Sequence, residues 1–155
     1  MTELEWCPRA LPRDLLVTQV YGLCFNQHGE ILLTFDQGSY GLPGGKPEDG
    51  ETREESLIRE VLEEVQCEIE SLEYIGYQRV TGDPDKFSGA AHAQLRYACR
   101  ITKLLPQMFD VATGRFIDRK FASRTDAAAL LNWDDNGRQQ IASACASDCF
   151  AALED

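Results

Sequence analysis

Three glutamates, Glu60, Glu63 and Glu64, lie close together in a charged stretch that runs from about 52 to 65. If the stretch is helical, each residue advances by about 100°, so the three carboxylates fall within one sector of roughly 100°. Like charges so placed repel one another by a few tenths of a kcal/mol per pair, and Arg59 is the only base close by. Oxygen ligands gathered on one face suit Mg²⁺, which keeps waters and accepts substrate phosphates as its remaining ligands.

Neighbouring residues could hold these carboxylates in place. Thr52 and Glu55, three residues apart, form a capping-box pattern that is typical of the start of a helix. The side opposite the glutamates is predicted to pack on a sheet through apolar residues, namely Leu57, Ile58, Val61, Leu62 and Val65. Gly44 and Gly45 precede the helix, and their backbone can approach a metal or a phosphate closely because neither residue has a Cβ.

The rest of the chain predicts one mixed α/β domain over residues 1–155, since no repeat or change of composition marks a linker. Strands are predicted at 17–25, 31–35, 69–80 and 93–101, with a weaker candidate at 116–121. The first two strands form a hairpin. Loops are predicted at 38–50 and 81–89, and two helices at about 125–131 and 136–149.

Residues 45–67 resemble the Nudix box, G-x5-E-x7-R-E-U-x-E-E-x-G-U, in which U is a bulky apolar residue. The matching residues are Gly45, Glu51, Arg59, Glu60, Val61, Glu63, Glu64 and Cys67, and Leu42-Pro43-Gly44 matches the usual lead-in. The resemblance implies a Nudix-like α/β/α sandwich with a mixed β-sheet.

The family resemblance also implies roles for individual residues. The metal ligands would be the carboxylates of Glu60, Glu63 and Glu64 and the backbone carbonyl of Gly44, and the metal would be Mg²⁺, with Mn²⁺ as an alternative. Arg59 would orient a neighbouring glutamate, for which Glu51 is the usual candidate, by a charge-assisted hydrogen bond. The catalytic set implied by the box is therefore Glu63, Glu60, Arg59 and Glu51.

The general base is left open at this point. Within the box, Glu63 and Glu60 are candidates. Outside it, a loop acid such as Asp110 or Asp118 could serve.

The activity that the resemblance implies is hydrolysis of a phosphoanhydride bond in a nucleoside diphosphate linked to another moiety. A nucleoside triphosphate or a modified nucleotide is favoured as the substrate, and Tyr40, Arg79, Phe87 and His92 are candidates to contact it. The main alternative is a catalytically silent Nudix domain that binds a nucleotide or nucleotide sugar as a sensor or scaffold. An isomerase acting on prenyl diphosphates and an acidic structural protein with a coincidental motif are weaker alternatives.

Charge and composition restrict the partners. A net charge of −11 argues against a nucleic-acid polymer, because a surface that follows a phosphate backbone needs clustered Lys and Arg. No apolar stretch approaches the ~18 residues of a membrane span, and the N-terminus lacks the apolar core of a signal peptide. Six cysteines without zinc-site spacing predict free thiols in a reducing compartment, so we expect a cytoplasmic protein. A homodimer, which is common in the family, is left open.

One position departs from the box. Gln66 stands where the family usually has glycine, at the predicted end of the helix. Either Gln66 adopts the left-handed cap conformation, at a cost of about 1 kcal/mol, or the helix continues through it.

Overall fold

The computed structural model of the protein describes residues 1–111 and 113–154, and for residue 154 it describes the backbone only. Its strands are β1 (Glu3–Cys7), β2 (Leu16–Phe25), β3 (Ile31–Asp36), β4 (Ser39–Gly41), β5 (Gly44–Gly45), β6 (Cys67–Thr81), β7 (His92–Leu104) and β8 (Asp118–Ala122). Its α-helices are α1 (Arg53–Val65), α2 (Arg124–Leu131), α3 (Asp134–Cys145) and α4 (Asp148–Ala151). Short 3-10 turns lie at Phe87–Gly89 and Ala152–Glu154.

The strands form one mixed sheet. Its main order is β1-β6-β7-β2-β3-β4, with β5 paired to β2 and β8 paired to β3. The β2 and β7 strands run parallel, whereas the other paired strands run antiparallel. The predicted hairpin is confirmed, because Phe25 and Ile31 pair antiparallel across the turn.

Helices cover both faces of the sheet. On one face, α1 buries Leu57, Val61 and Val65 in a cluster with side chains of β2, β6 and β7. On the other face, α2, α3 and α4 bury a second cluster that includes Leu131 and Ile141. The predicted α/β/α sandwich with a mixed sheet is confirmed.

Local chemistry fixes both ends of α1. Thr52 accepts a hydrogen bond from the backbone of Glu55, whose side chain accepts one from the backbone of Thr52, so the predicted capping box is present. The helix ends at Gln66, which adopts the left-handed conformation with φ 53° and ψ 47°. Of the two alternatives for Gln66, the left-handed cap is the one found.

The structure corrects several predictions. A single helix over 136–149 is wrong, because the chain leaves α3 after Cys145 and Ser147 caps α4 by accepting from the backbone of Phe150. The apolar face of α1 is narrower than predicted, since Ile58 and Leu62 are 40% and 39% exposed.

Extended segments also differ from the predictions. β1 was not predicted. The loop predicted at 38–50 contains the short strands β4 and β5, which the sheet orders by pairing them with β3 and β2. β6 and β7 extend beyond their predicted ends.

All six cysteines are free thiols, as predicted, and all but Cys145 are buried. The Sγ atoms of Cys24 and Cys99 lie 3.1 Å apart on the paired strands β2 and β7. Within residues 1–111 and 113–154, no helix is long and apolar enough to cross a membrane.

Candidate active site

A cavity of about 520 Å³ opens where α1 passes the glycine pair of β5. We call it the acidic cavity. Its lining comes from β2, β3, β5, α1 and the segment before β8, and includes Gln19, Tyr21, Thr34, Asp36, Leu42, Gly44, Gly45, Glu60, Glu64, Asp110, Thr113, Arg115 and Ile117.

The glycine pair lets the backbone pass directly beneath the carboxylates. A Cβ on Gly45 would lie 2.5 Å from the carboxyl carbon of Glu60, which is well inside van der Waals contact. Gly44 has a φ of 153°, and a Cβ there would lie 2.1 Å from the carbonyl oxygen of Val20. Only glycine therefore allows α1 and β2 to approach β5 this closely.

Arg59 contacts several acidic side chains beside the acidic cavity. Its Nε lies 2.8 Å from Oε2 of Glu51, and its Nη1 lies 2.9 Å from Oε1 of Glu60 and 3.3 Å from Oε2 of Glu63. Its Nη2 donates to the carbonyl oxygen of Lys46, which fixes the loop to the helix. The hydrogen bond from Arg59 lowers the pKa of Glu51, and the same contact raises the pKa of Arg59.

Glu64 has a different environment. Burial raises the pKa of this carboxyl to about 8, although the backbone N–H of Gly44 donates to it, and the negative charges of Glu60, Asp110 and Asp36 raise it further. Burial also raises the pKa of Glu60, against the effect of Arg59. Burial and neighbouring negative charges therefore disfavour the ionised form of both Glu60 and Glu64.

The NUDIX domain model matches residues 16–143 of the chain, which includes all of these residues. The chain belongs to the Nudix family. It is 44% identical over 55 residues to the putative 8-oxo-dGTP diphosphatase YtkD of Bacillus subtilis, a match that covers 35% of each protein. It is 43% identical over 89 residues to the NAD-capped RNA hydrolase NudC of Pseudomonas entomophila, covering 50% of this chain and 32% of that protein. The chain thus matches about a third of the length of these curated relatives.

Solved structures share the fold. A variant of the Bacillus subtilis pyrophosphohydrolase BsRppH superposes with a TM-score of 0.69 at 22% identity, covering 90% of this chain and 88% of that one. A NUDIX hydrolase from Nitrosomonas europaea gives a TM-score of 0.63 at 18% identity, covering 84% and 88%. At these identities the likeness concerns the fold alone.

The residues of this Nudix domain fit a divalent cation. Glu60 and Glu64 line one cavity with Gly44, and a cation bound there would favour the ionised form that burial and neighbouring acids disfavour. Within the described part of the chain, however, no three acidic, histidine or cysteine side chains are already close enough to hold an ion. Glu63 lies against Arg59 and beside a separate apolar cavity, so it does not line the acidic cavity in this conformation.

The acids considered as a general base lie in different places. Asp110 is 6% exposed and lines the acidic cavity with Glu60 and Glu64. Asp118 is exposed on β8, outside the lining of that cavity.

The four residues predicted as substrate contacts do not lie together. His92 and Phe87 line a separate cavity of about 400 Å³, where their rings lie 5.3 Å apart. Tyr40 packs on the ring of Phe35, and Arg79 donates to the hydroxyl of Thr81. None of them lines the acidic cavity.

Sequence reasoning missed several polar residues of the acidic cavity, among them Gln19, Tyr21, Asp36 and Arg115. Gln19 and Tyr21 alternate along the predicted strand at 17–25, which places them on one face without saying which face. Arg115 reaches Asp36 at 3.1 Å across two segments that are distant in sequence, and no local spacing predicts that contact.

Proposed function

We propose that this Nudix domain hydrolyses a phosphoanhydride bond in a nucleoside diphosphate linked to another moiety, using Mg²⁺ or Mn²⁺. The observation that carries the proposal is that the partly buried carboxyls of Glu64 and Glu60 line one cavity above the glycine pair. Carboxyl groups that are partly removed from water and lie beside other acids are costly to ionise unless a cation pairs with them. The family membership of residues 16–143 supports the same chemistry.

In this proposal the carbonyl of Gly44 and the carboxylates of Glu60, Glu63 and Glu64 would hold the metal. A bound divalent cation would neutralise anhydride oxygens and lower the pKa of water at the site. Glu63 would have to turn from Arg59 towards the acidic cavity, and its 3.3 Å contact with Nη1 is longer than the contacts that Glu51 and Glu60 make with the same guanidinium.

The chain's own side chains have further roles. Arg59 and Glu51 position Glu60 and the loop through Lys46. Arg115, the cation that lines the acidic cavity beside Asp36, would contact a substrate phosphate. Of the acids outside the box, Asp110 is the better-placed base, because it shares the cavity with Glu60 and Glu64.

The relatives suggest the substrate class. One is named as an 8-oxo-dGTP diphosphatase and others as NAD-capped RNA hydrolases. We propose a small nucleotide, either a nucleoside triphosphate or a modified nucleotide, because a net charge of −11 disfavours an RNA chain.

Location and assembly complete the proposal. The free thiols suit a reducing compartment, so we place the protein in the cytoplasm. If the protein self-associates, we propose that it forms a homodimer.

The proposal is tested by incubating purified protein with a panel of nucleoside triphosphates, modified nucleotides and dinucleotides in Mg²⁺, in Mn²⁺ and in EDTA. A nucleoside monophosphate and a second phosphorylated product should appear only with metal. Glu68→Gln is the control for loss of a single negative charge and should keep the activity. Glu68 is exposed and lies outside the box positions that carry the acids. Nucleotide binding without turnover on any substrate would favour the silent sensor or scaffold.

A further inference from the structure

A second cavity adjoins the acidic cavity and shares Tyr21 and Leu42 with it. Its volume is about 690 Å³, which lies in the range of small-molecule sites. We call it the amide cavity, because its lining combines four amide side chains with aromatic and apolar surface and one arginine. The lining includes Gln78, Gln94, Asn132, Asn136, Trp133 and Arg96.

Arg96 is only 2% exposed, yet no carboxylate pairs with it within the part of the chain that the structure describes. Burial lowers the pKa of its guanidinium to about 10. The guanidinium carbon lies 4.9 Å from the ring centre of Tyr21 and 5.9 Å from that of Trp133. Its Nε donates to Gln140 at 2.8 Å, and its Nη1 makes long contacts to backbone carbonyls.

The remaining nitrogen of Arg96, Nη2, makes no hydrogen bond to any residue described in the structure. A buried guanidinium normally satisfies its N–H groups. Because Arg96 lines the amide cavity, this nitrogen is available to donate to a ligand there.

Arg96 also sets the direction of a hydrogen-bonded row of glutamines. Arginine can only donate, so the side-chain oxygen of Gln140 accepts from it and the amide nitrogen of Gln140 donates to Gln78. Gln78 then donates to Gln94 at 3.0 Å, and Gln94 donates to Gln19 at 3.0 Å. The row crosses β6, β7 and β2 at one level of the sheet.

This direction makes the interior of the amide cavity rich in donors. The side-chain oxygens of Gln78 and Gln94 already accept hydrogen bonds within the row. The side-chain oxygen of Asn136 accepts from Gln140, which leaves the amide nitrogen of Asn136 for a ligand. Asp134, an exposed carboxylate that lines the cavity, places an acceptor at its rim.

The two residues that flank Trp133 at this cavity have left-handed backbone. Asn132 and Asp134 have φ values of 57° and 54°. Asn132 is the left-handed cap that ends α2, and Asp134 begins α3. Trp133 thereby presents a flat aromatic surface to the cavity, next to Arg96.

We propose that the amide cavity binds the base of the substrate and selects an oxo-purine, a purine that carries a carbonyl oxygen at position 6. The inner donors, above all Nη2 of Arg96, would bind O6 and N7, which are both acceptors in guanine. Adenine presents an amino donor in place of O6, which would face these donors unfavourably. Asp134 would accept from the ring N–H and amino groups on the outer edge of guanine.

A planar base suits the site better than a second phosphate does. Among the described residues of the lining, Arg96 is the only cation, and most of the other groups are neutral amides or apolar and aromatic surface. The shared residues Tyr21 and Leu42 place the amide cavity directly beside the acidic cavity. This inference rests on the proposed function, since it identifies part of the substrate of the same site.

The test uses free nucleosides in EDTA, so that neither phosphate nor metal contributes to binding. The protein has two tryptophans, and ¹H–¹⁵N NMR resolves one indole N–H signal for each. Trp133→Phe assigns the signals, and Trp6, whose indole donates to Ser143, serves as an internal reference. Guanosine and inosine should shift the Trp133 signal with a Kd about tenfold or more below that of adenosine.

A single isosteric substitution tests the direction of the donors. Asn136→Asp replaces the free amide nitrogen with an acceptor while keeping the oxygen that Gln140 uses. It should reduce the ratio of the adenosine Kd to the inosine Kd by about fivefold. Gln139→Glu, an exposed change of the same kind on α3, should leave the ratio unchanged.

Two outcomes would overturn the inference. One is adenosine binding as tightly as inosine, and the other is no shift of the Trp133 signal with any nucleoside at its solubility limit. Metal-dependent hydrolysis that is equally fast for all bases would leave the proposed function standing and refute the base site. Base-selective nucleoside binding without hydrolysis of any nucleotide would support the base site and refute the proposed function.

Discussion

Two arginines of this protein have opposite surroundings. Arg59, at the acidic cavity, contacts the carboxylates of Glu51, Glu60 and Glu63, and these contacts raise its pKa. Arg96, at the amide cavity, is buried without a carboxylate partner among the described residues, and burial lowers its pKa to about 10.

The difference shows how one type of residue can organise two kinds of site. Arg59 holds several carboxylates together, which suits a region that binds a cation. Arg96 aligns neutral amides by donating to Gln140, which suits recognition of an uncharged, planar group. The two cavities adjoin through Tyr21, so a nucleotide could place its phosphates in one and its base in the other.

The largest expected effect comes from the acidic side. Glu64→Gln should lower turnover by about 10²-fold or more, because the neutral amide cannot neutralise a divalent cation. The fold should survive, since the amide has the same shape as the carboxylate. Steady-state kinetics beside circular dichroism measure both quantities.

Glu63→Gln should also remove most of the activity if Glu63 turns towards the metal. Since Glu63 contacts Arg59 and lies outside the acidic cavity here, we expect its loss to be the smaller of the two. Turnover close to that of the wild type in both variants would refute the assignment of the metal site.

Removing each arginine in turn sharpens the contrast. Arg59→Met leaves carboxylates without their cation and should lower the free energy of unfolding by about 1–3 kcal/mol. Arg96→Met leaves the side-chain oxygen of Gln140 unsatisfied but also removes a buried charge, so its net effect should be smaller.

Divalent metal should distinguish these two variants. Mg²⁺ should stabilise Arg59→Met more than it stabilises the wild type, because the freed carboxylates can bind it. It should stabilise Arg96→Met only as much as it stabilises the wild type, because that change leaves the acidic cavity intact. Denaturant titrations with Mg²⁺ and with EDTA measure the difference. Equal stabilisation of both variants by Mg²⁺ would contradict the contrast between the two cavities.

The smallest expected effect concerns the end of α1. Gln66→Gly would relieve about 1 kcal/mol of left-handed strain. It would also lose two hydrogen bonds, because the Gln66 side chain donates to the carbonyl of Glu63 and accepts from the backbone of Met108. We therefore expect a net change from about zero to 1 kcal/mol of destabilisation.

Denaturant midpoints measure this change, and Gln66→Asn is the control, because asparagine tolerates the left-handed conformation but has a shorter side chain. A clear stabilisation by glycine would show that the contact with Met108 contributes nothing. A large loss of activity would show that position 66 has more than a structural role.

The sequence predicted features that depend on local spacing. The capping box at Thr52, the glutamates of α1 and the glycine pair lie within about two dozen residues, so periodicity and the family pattern were sufficient. The amide cavity could not be predicted from the sequence, because Arg96 and Gln140 come into contact only when β7 and α3 pack together. Similarly, β1 is too short and too exposed to be recognised before its pairing with β6 is known.

The conformation of Gln66 illustrates the same limit. Sequence reasoning left two alternatives, because ending the helix at Gln66 requires a left-handed conformation that is strained for glutamine. The partner that favours this end, the backbone of Met108, is 42 residues away and could not be inferred from spacing.

The most direct test of the account is nucleotide binding with and without metal. A non-hydrolysable nucleoside triphosphate analogue, titrated calorimetrically, should bind in Mg²⁺ and bind far more weakly in EDTA, because its phosphates otherwise meet the acidic cavity and a net charge of −11. Glu60→Gln should weaken the Mg²⁺-dependent binding, while Glu68→Gln should not. Binding of equal strength in EDTA and in Mg²⁺ would show that the carboxylates of α1 do not bridge to phosphate through a metal, and would contradict the account.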